Sequence, residues 1–499
     1  MVRGSSIVVL LVALSGTAWG VQPTKPTGKP PTSPTSPTSP VTSPTTPPTT
    51  TRATPAPPQW PEVLEPGPYL KYDFQIPWKL TASIYLNQNA EYIDGEGNRM
   101  TYSVNFPFET VTMVFPLISS TASATMYQTL ASGTLRINDR DACAGTFVLD
   151  GSKQDPTAGA RLRPALMRRE RDGGVYQGGV HLAAFATGEI GKQTIANRFR
   201  LNVEMPMVCS NTVFDERAAM KVGWPTGPWP EHVAATFIQQ QWIDYSPMPD
   251  GRNGTYDAAI FEAIVKAALK GRDPRSVTPV MLAKMLLGHC VDMYTITPND
   301  FNYRLTTSTS RTGEVVASGG VLIQGLRMSG AAAAAMDKKG TKWDLIALTA
   351  AVYRKAGIPT RTVIGYDRRE KEEREKGRSL QSELCAWIEF YLYDEVNKTG
   401  NWIPVDVLRF KESCGKAPPL NSTYRWFGTN DVLNSIMPFA FQFQPPTDVR
   451  GYNSPAFWGW HMTPGVPTRM YTAISFSGAK MPMPNKAQVA AEERNKKIR

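Results

Sequence analysis

The sequence predicts an α+β protein in which a β-rich region precedes a core of helices and strands. Three observations predict it. Between residues 80 and 203, β-branched and aromatic runs are separated by turn residues. Between 256 and 290, apolar residues recur at helical spacing. From 343 to 405, one helical pattern is followed by three strand patterns.

The N-terminal residues 1–20 read as a signal peptide. Arg3 supplies the positive charge, Ile7 to Leu14 a short apolar run, and Ala18 and Gly20 the small residues at the cleavage positions. That run is too short to span a bilayer. The segment around Val321 to Met336 is the next most apolar, but Gln324, Arg327 and several glycines interrupt it. Residues 21–66 are dominated by Pro, Thr and Ser, with Pro-Thr-Ser-Pro repeated across 31–40. Such a segment has too few apolar residues to bury a core, so a disordered linker is expected.

A β-rich domain is expected over 67–212. Its strand candidates are Leu80 to Leu86, Val111 to Phe115, Gly145 to Leu149, Val180 to Phe185 and Phe199 to Val203, with Asp94-Gly95 and Asp172-Gly173-Gly174 as turns. An antiparallel sandwich or barrel would use them. His181 lies in one of these runs and reads as an ordinary strand residue.

A second domain is expected over 213–411. Ile260, Phe261, Ile264, Val265, Ala268 and Leu269 form the stripe of a helix from Tyr256 that Gly271 ends. Thr278 is placed as an N-cap with Pro279 in the first turn, and Met281, Leu282, Met285, Leu286, His289 and Cys290 form the next stripe. A lone histidine on such a stripe is read as a core or boundary residue. A helix from Trp343 to Lys355 stops at Gly357-Ile358-Pro359, and strands follow at 360–366, 384–392 and 402–405, with a charged loop at 368–378. Residues 412–499 form an aromatic-rich extension with a basic tail, expected to pack on the domain before it.

The chain has 499 residues, a net charge of +11 and only four histidines. A basic exported protein can adhere to anionic polymers, although a solvated surface is the simpler reading. The export signal argues against nucleic acid as a partner. With so few histidines and no Cys-x-x-Cys, no metal site is expected, and no glycine loop or Gly-x-Ser-x-Gly elbow implies a cofactor or a serine nucleophile. Five cysteines leave at least one unpaired within the chain, and Cys143 with Cys209 is the pair favoured, because both lie in the β-rich region.

One constellation carries chemistry. Gly340-Thr341-Lys342-Trp343-Asp344 opens a helix that ends in Arg354-Lys355-Ala356-Gly357-Ile358-Pro359-Thr360-Arg361, and the next strand ends in Gly365-Tyr366. Then come Cys385-Ala386-Trp387-Ile388-Glu389 and Asn401-Trp402-Ile403-Pro404-Val405-Asp406. In order and spacing these resemble the transglutaminase-like superfamily, which has the papain-like cysteine enzyme fold. There a Gly-x-Cys opens the helix, His-x-Trp-x-Glu forms a strand, and Gly-Trp-x-Pro-x-Asp follows. The resemblance is firm over about 340–407 and fainter back to about 215.

In that family the cysteine, histidine and aspartate form an acyl-transfer triad. A thiolate is stabilised at a helix N-terminus, a histidine takes its proton, and an acid fixes the histidine. The corresponding positions here are Lys342, Cys385 and Asp406, so only the acid is retained. The resemblance places Trp343, Trp387 and Glu389 as supports of the cleft. It implies an exported, non-catalytic domain that binds or scaffolds a protein, peptide or glycopeptide at the cell envelope, secreted or periplasmic. An anionic envelope polymer is a further candidate partner, and a structural envelope protein a further class. The rival is a cysteine enzyme with rearranged roles, Cys385 as nucleophile and Lys342 as base. With the histidine gone, Asp406 is expected to draw the Lys342 ammonium toward it, or failing that Glu389 to do so.

Overall fold

The computed structural model describes residues 64, 66–93, most of 99–146, 180–186, most of 194–230, 233, 244, 259–297, 301–309, most of 315–368, 384–441, 459–463 and 470–481. The expected signal peptide, the linker up to Val63, the two expected turns and the charged loop from Arg369 onward lie outside the described residues.

The largest sheet is built on two long strands, β1 (Leu70–Ile93) and β10 (Arg198–Phe214), paired antiparallel with Leu80 opposite Met205 and Ile84 opposite Leu201. Their sequence explains their placement. Phe199, Leu201, Val203 and Met205 are buried and alternate with partly exposed Arg200, Asn202 and Glu204, as in a strand with one wet face. From Met205 to Thr212 both faces are buried, because residues 430–434 cover the second one. Thr212 and Asn430 exchange backbone hydrogen bonds, and the Trp78 indole donates to the Asn434 carbonyl at 2.7 Å. The expected runs at 111–115 and 180–185 lie in β4 (Thr110–Ile118) and β8 (Val180–Ala186), which pair with each other. The run expected at 145–149 overlaps β7 (Arg140–Thr146), which pairs with β6 (Ser132–Ile137).

Sheet pairing crosses the domain boundaries expected at 212 and 411. β12 (Phe301–Thr309) and β13 (Val315–Leu326) add to the large sheet from within the second segment, and β20 (Met470–Lys480) pairs with β1 from the third. The order is β12-β13-β20-β1-β10-β6-β7. The physical reason is edge protection: β20 pairs the flank of β1 that β10 leaves open. Among the described residues no helix is long and apolar enough to cross a membrane, and the apolar run after Val321 is divided between β13 and a short helix, Ala331–Asp337.

The expected disulfide is corrected. Cys209 is a free, buried thiol whose pKa burial pushes up. Cys143 lies opposite Leu135, itself opposite Leu201, so Cys209 is eight residues further along β10. At strand rise that is about 27 Å, beyond any disulfide.

The second layer is the core that positions the site. α1 (Glu216–Ala219) leads into it, followed by α2 (Ala259–Leu269) and α3 (Pro279–Met293). Thr278 caps α3 by accepting from the Met281 amide, with Pro279 in the first turn, as the sequence indicates. His289 is half-buried, and burial lowers its pKa; Cys290 beside it is fully buried, its thiol pushed up to about 12. α4 (Ala331–Asp337) precedes α5 (Lys342–Lys355), in which every residue from Trp343 to Arg354 is buried.

A helix buried all round is a central one. α5 packs against α2, α3 and α4, and against β15 (Thr360–Asp367) and β16 (Leu384–Asp394). Gly357, at φ +87°, ends it in the left-handed conformation, with its amide on the Arg354 carbonyl at 2.9 Å and the Ile358 amide on Tyr353 at 3.0 Å. The chain therefore turns back at once, and β15 returns along the helix toward its N-terminal end. The core sheet is antiparallel, ordered β17-β16-β15-β18, with β17 (Thr399–Val405) at one edge and β18 (Ile436–Phe441) at the other. The aromatic extension thus supplies a strand of the core as well as covering it.

Arg354, from the motif that ends α5, is buried with Asp244, and its Nη2 is 2.7 Å from both carboxylate oxygens. Its Nη1 donates to the Thr360 carbonyl at 3.1 Å, linking the end of the helix to the start of β15. Removing one member of a buried pair strands the other charge. Arg354→Ala or Asp244→Ala should each cost about 3–5 kcal/mol, whereas replacing both by apolar residues of similar volume should cost far less. Urea midpoints of the two single variants and the double variant check this.

Candidate functional site

Lys342 is the first residue of α5. Thr341 caps the helix, its hydroxyl accepting from the Asp344 amide at 3.3 Å while Asp344 Oδ2 accepts from the Thr341 amide at 3.1 Å. The other oxygen of Asp344 accepts from the amides of Ser329 and Gly330 at 2.7 and 3.0 Å. Burial raises the Asp344 pKa, and these three amides, with the Thr341 hydroxyl that also donates to Oδ2 at 2.9 Å, oppose the rise. The helix start is therefore already served by a carboxylate from its own first turn. The Lys342 ammonium lies over the ring of Trp343, 5.2 Å from its centroid, and that ring is fully buried.

Cys385 lies on β16 opposite Gly365. It is half-buried, is in no disulfide, and directs its thiol to the Gly365 carbonyl at 3.5 Å. Gly365 can only be glycine here: an added Cβ would stand 2.8 Å from Ile436 and 3.1 Å from the Trp387 ring. That packing accounts for the Gly-Tyr at the end of β15.

Asp406 follows β17 and caps α6 (Val407–Ser413). Its Oδ1 accepts from the Arg409 amide at 3.0 Å, and its Oδ2 pairs with Arg409 Nε at 3.0 Å. Arg409 Nη2 also reaches buried Asp367 at 3.3 Å, and the guanidinium packs over Trp426 at 5.4 Å. Burial holds the Asp406 carboxyl above the usual range, with Arg409 opposing and Glu412 and Asp367 adding to the rise.

Glu389 is fully buried. It accepts from the Ala122 amide at 2.9 Å and from the Trp387 indole at 3.1 Å, and it pairs with Arg361 through Nε at 2.8 Å and Nη2 at 2.7 Å. The Arg361 guanidinium is sandwiched between Trp402 and Phe441, at 4.0 and 4.2 Å from their centroids. Trp387 and Glu389 therefore brace the sheet against the β-rich layer.

α5 packs on β15 and β16, and α6 packs on both α5 and β16. Cys385 is opposite Gly365 near the end of β15. Ile388 is opposite Val405, and Asp406 follows at once as the cap of α6. Neither acid is orphaned: the charge of Asp406 is met by Arg409, and that of Glu389 by Arg361. Sequence reading missed Arg409. The available signal was its i, i+3 spacing from Asp406, which puts a cation one helical turn beyond the cap.

The family model of the transglutaminase-like superfamily matches residues 324–407, a span that begins near the end of β13 and includes all three positions. Residues 324–407 thus carry a transglutaminase-like domain, and the fold is α+β with a β-rich region before the core. Among solved structures it is similar to a protein assigned as a cysteine protease from Cytophaga hutchinsonii, at 11% identity and TM-score 0.41, over 84% of this chain and 94% of that one. It is also similar to the periplasmic domain of TgpA from Pseudomonas aeruginosa bound to ethylmercury, at 11% identity and TM-score 0.22, over 66% of this chain and 89% of that one. Neither likeness bears on activity. No curated protein matches the chain.

Two outcomes follow from this geometry. Arg409→Ala leaves buried Asp367 and Asp406 without their shared cation and should cost about 2–4 kcal/mol, discounted for partial exposure, while Lys342→Ala should cost under about 1 kcal/mol. Denaturant midpoints of the two variants rank them. The second concerns pH. Asp406 and Asp344 both have folded pKa values raised above their unfolded values. The native state then holds more protons than the unfolded chain, so their contribution is full below the unfolded value and is lost as pH rises through the folded one. Subtracting the stability–pH curve of Asp406→Asn from that of the wild type, from about pH 4 upward, should leave a difference that falls with rising pH. A difference that rises would contradict the assigned direction.

Proposed function

We propose that this is an exported, non-catalytic transglutaminase-like protein that binds or scaffolds a protein, peptide or glycopeptide at the cell envelope, with no cofactor. The observation that supports it most is the site itself: a lysine heads the helix where the family has its thiolate, a cysteine stands where the base belongs, and the acid is engaged by Arg409. Acyl transfer needs a nucleophile, a base and an oriented acid together. An ammonium at position 342 can form no thioester, and a thiol at 385 is no general base of the family's kind. The scaffold around these positions is nevertheless kept, from the cap of α5 to the Trp387–Glu389–Arg361 brace, which is what a binding surface on an inherited fold requires. Export rests on the basic, then apolar, then small-residue pattern of residues 1–20.

The purified protein should neither incorporate amines into glutamine-containing substrates nor hydrolyse peptides or glycopeptides. Turnover that disappears in Cys385→Ala would overturn this reading in favour of the rearranged enzyme. Retention of the protein on purified cell-wall material or immobilised peptides, compared before and after salt washes, separates peptide binding from adhesion to an anionic polymer.

A further inference from the structure

Asp406 keeps the identity of the family's acid, but its surroundings put it to another use. An acid that serves a base must present a carboxylate oxygen to that base. Here Oδ1 is directed at the Arg409 amide and Oδ2 at Arg409 Nε, each at 3.0 Å. The backbone is fixed as well: the Asp406 amide donates at 3.0 Å to the carbonyl of Trp426, a residue held in the left-handed region at φ +67°. The Trp426 ring in turn lies under the Arg409 guanidinium.

Position 385 is nonetheless a neighbour of Asp406. It lies three residues before Ile388, which pairs with Val405, the residue immediately before Asp406. The Arg409 guanidinium holds both Asp406, at 3.0 Å, and Asp367, at 3.3 Å. A guanidinium stays charged and offers a fixed fork of donors, whereas a neutral imidazole offers one N–H.

We propose that Arg409 withholds Asp406 from position 385, so that the acid serves helix α6 and the site lacks all three working members of the triad rather than two. This deepens the non-catalytic reading and rests on the same assignment of positions 342, 385 and 406. Arg409 is a positioning residue in this view: it acts through Asp406 and touches no reacting atom.

The test restores the two missing residues and asks whether the acid supports them. Full-length Lys342→Cys, Lys342→Cys/Cys385→His, and the latter with Arg409→Gln or Arg409→Lys are labelled with iodoacetamide, and modification at position 342 is followed by peptide mass spectrometry from about pH 5 to about pH 9, where thiols and imidazoles titrate. Lys342→Cys and the double variant should share one midpoint, because an imidazole without an acid is poorly held. Adding Arg409→Gln should lower the midpoint by about one unit, or speed labelling below it about tenfold, and a further Asp406→Asn should reverse the change. Arg409→Lys keeps a cation near Asp367 but lacks the Nε–H that holds Asp406, so a smaller drop is expected; it decides the matter if the Gln variant does not fold by circular dichroism. A midpoint already lowered in the double variant overturns the proposal, as does a folded Arg409 variant with no drop. Failure of the non-catalytic reading would show separately, as wild-type turnover that depends on Cys385.

Discussion

Glu389 carries a charge in the interior of the protein, and the arrangement of the two layers follows from how that charge is met. A buried carboxylate is tolerable only when its partner is close and its lone pairs are filled. Arg361 approaches from the neighbouring strand, Trp387 from two residues along the same strand, and the Ala122 amide from the β-rich layer. Three segments distant in sequence are thereby fixed on one side chain. Trp402 and Phe441, which enclose the Arg361 guanidinium, lie on or beside the two edge strands of the core sheet, so the brace spans its width.

The same economy governs the site. A buried acid after the last core strand needs a cation, and the cheapest source is the nearest element. Arg409 is one turn along the helix that Asp406 caps, and it satisfies Asp367 as well. Asp344 does the corresponding work at the start of α5, capping its own helix and gathering the amides that lead into α4. Both acids are burdened by burial and relieved by local donors, so each is more a structural anchor than a reactive group. Around them stands a transglutaminase-like frame whose buried acids are held by local donors.

Much of the core was legible in the sequence. Thr278-Pro279 and Thr341 mark helix starts because side-chain oxygens satisfy orphan amides, a local rule. Gly357-Ile358-Pro359 marks the end of α5 because only glycine takes its left-handed turn at no cost. The β-branched run at 360–366 is a strand buried along its whole length. Which strands share the large sheet was not legible, because β20 joins β1 across most of the chain and nothing in either strand names its partner. Nor was the fate of Cys209: two cysteines in one region suggest a pair, and only the register shows them far apart on the sheet.

The sequence by itself determined the identity of the three key positions and the elements that carry them, because motif spacing and helix caps are local and survive any packing. It also shows a lysine opening the helix motif and a cysteine opening the Trp387–Glu389 strand motif. Only the tertiary structure decided which charges meet. Glu389 pairs with Arg361 because strand register places them opposite each other, and Asp406 pairs with Arg409 because the chain turns into a helix immediately after β17. Pairing energies depend on distance and burial, and both are properties of the packed molecule.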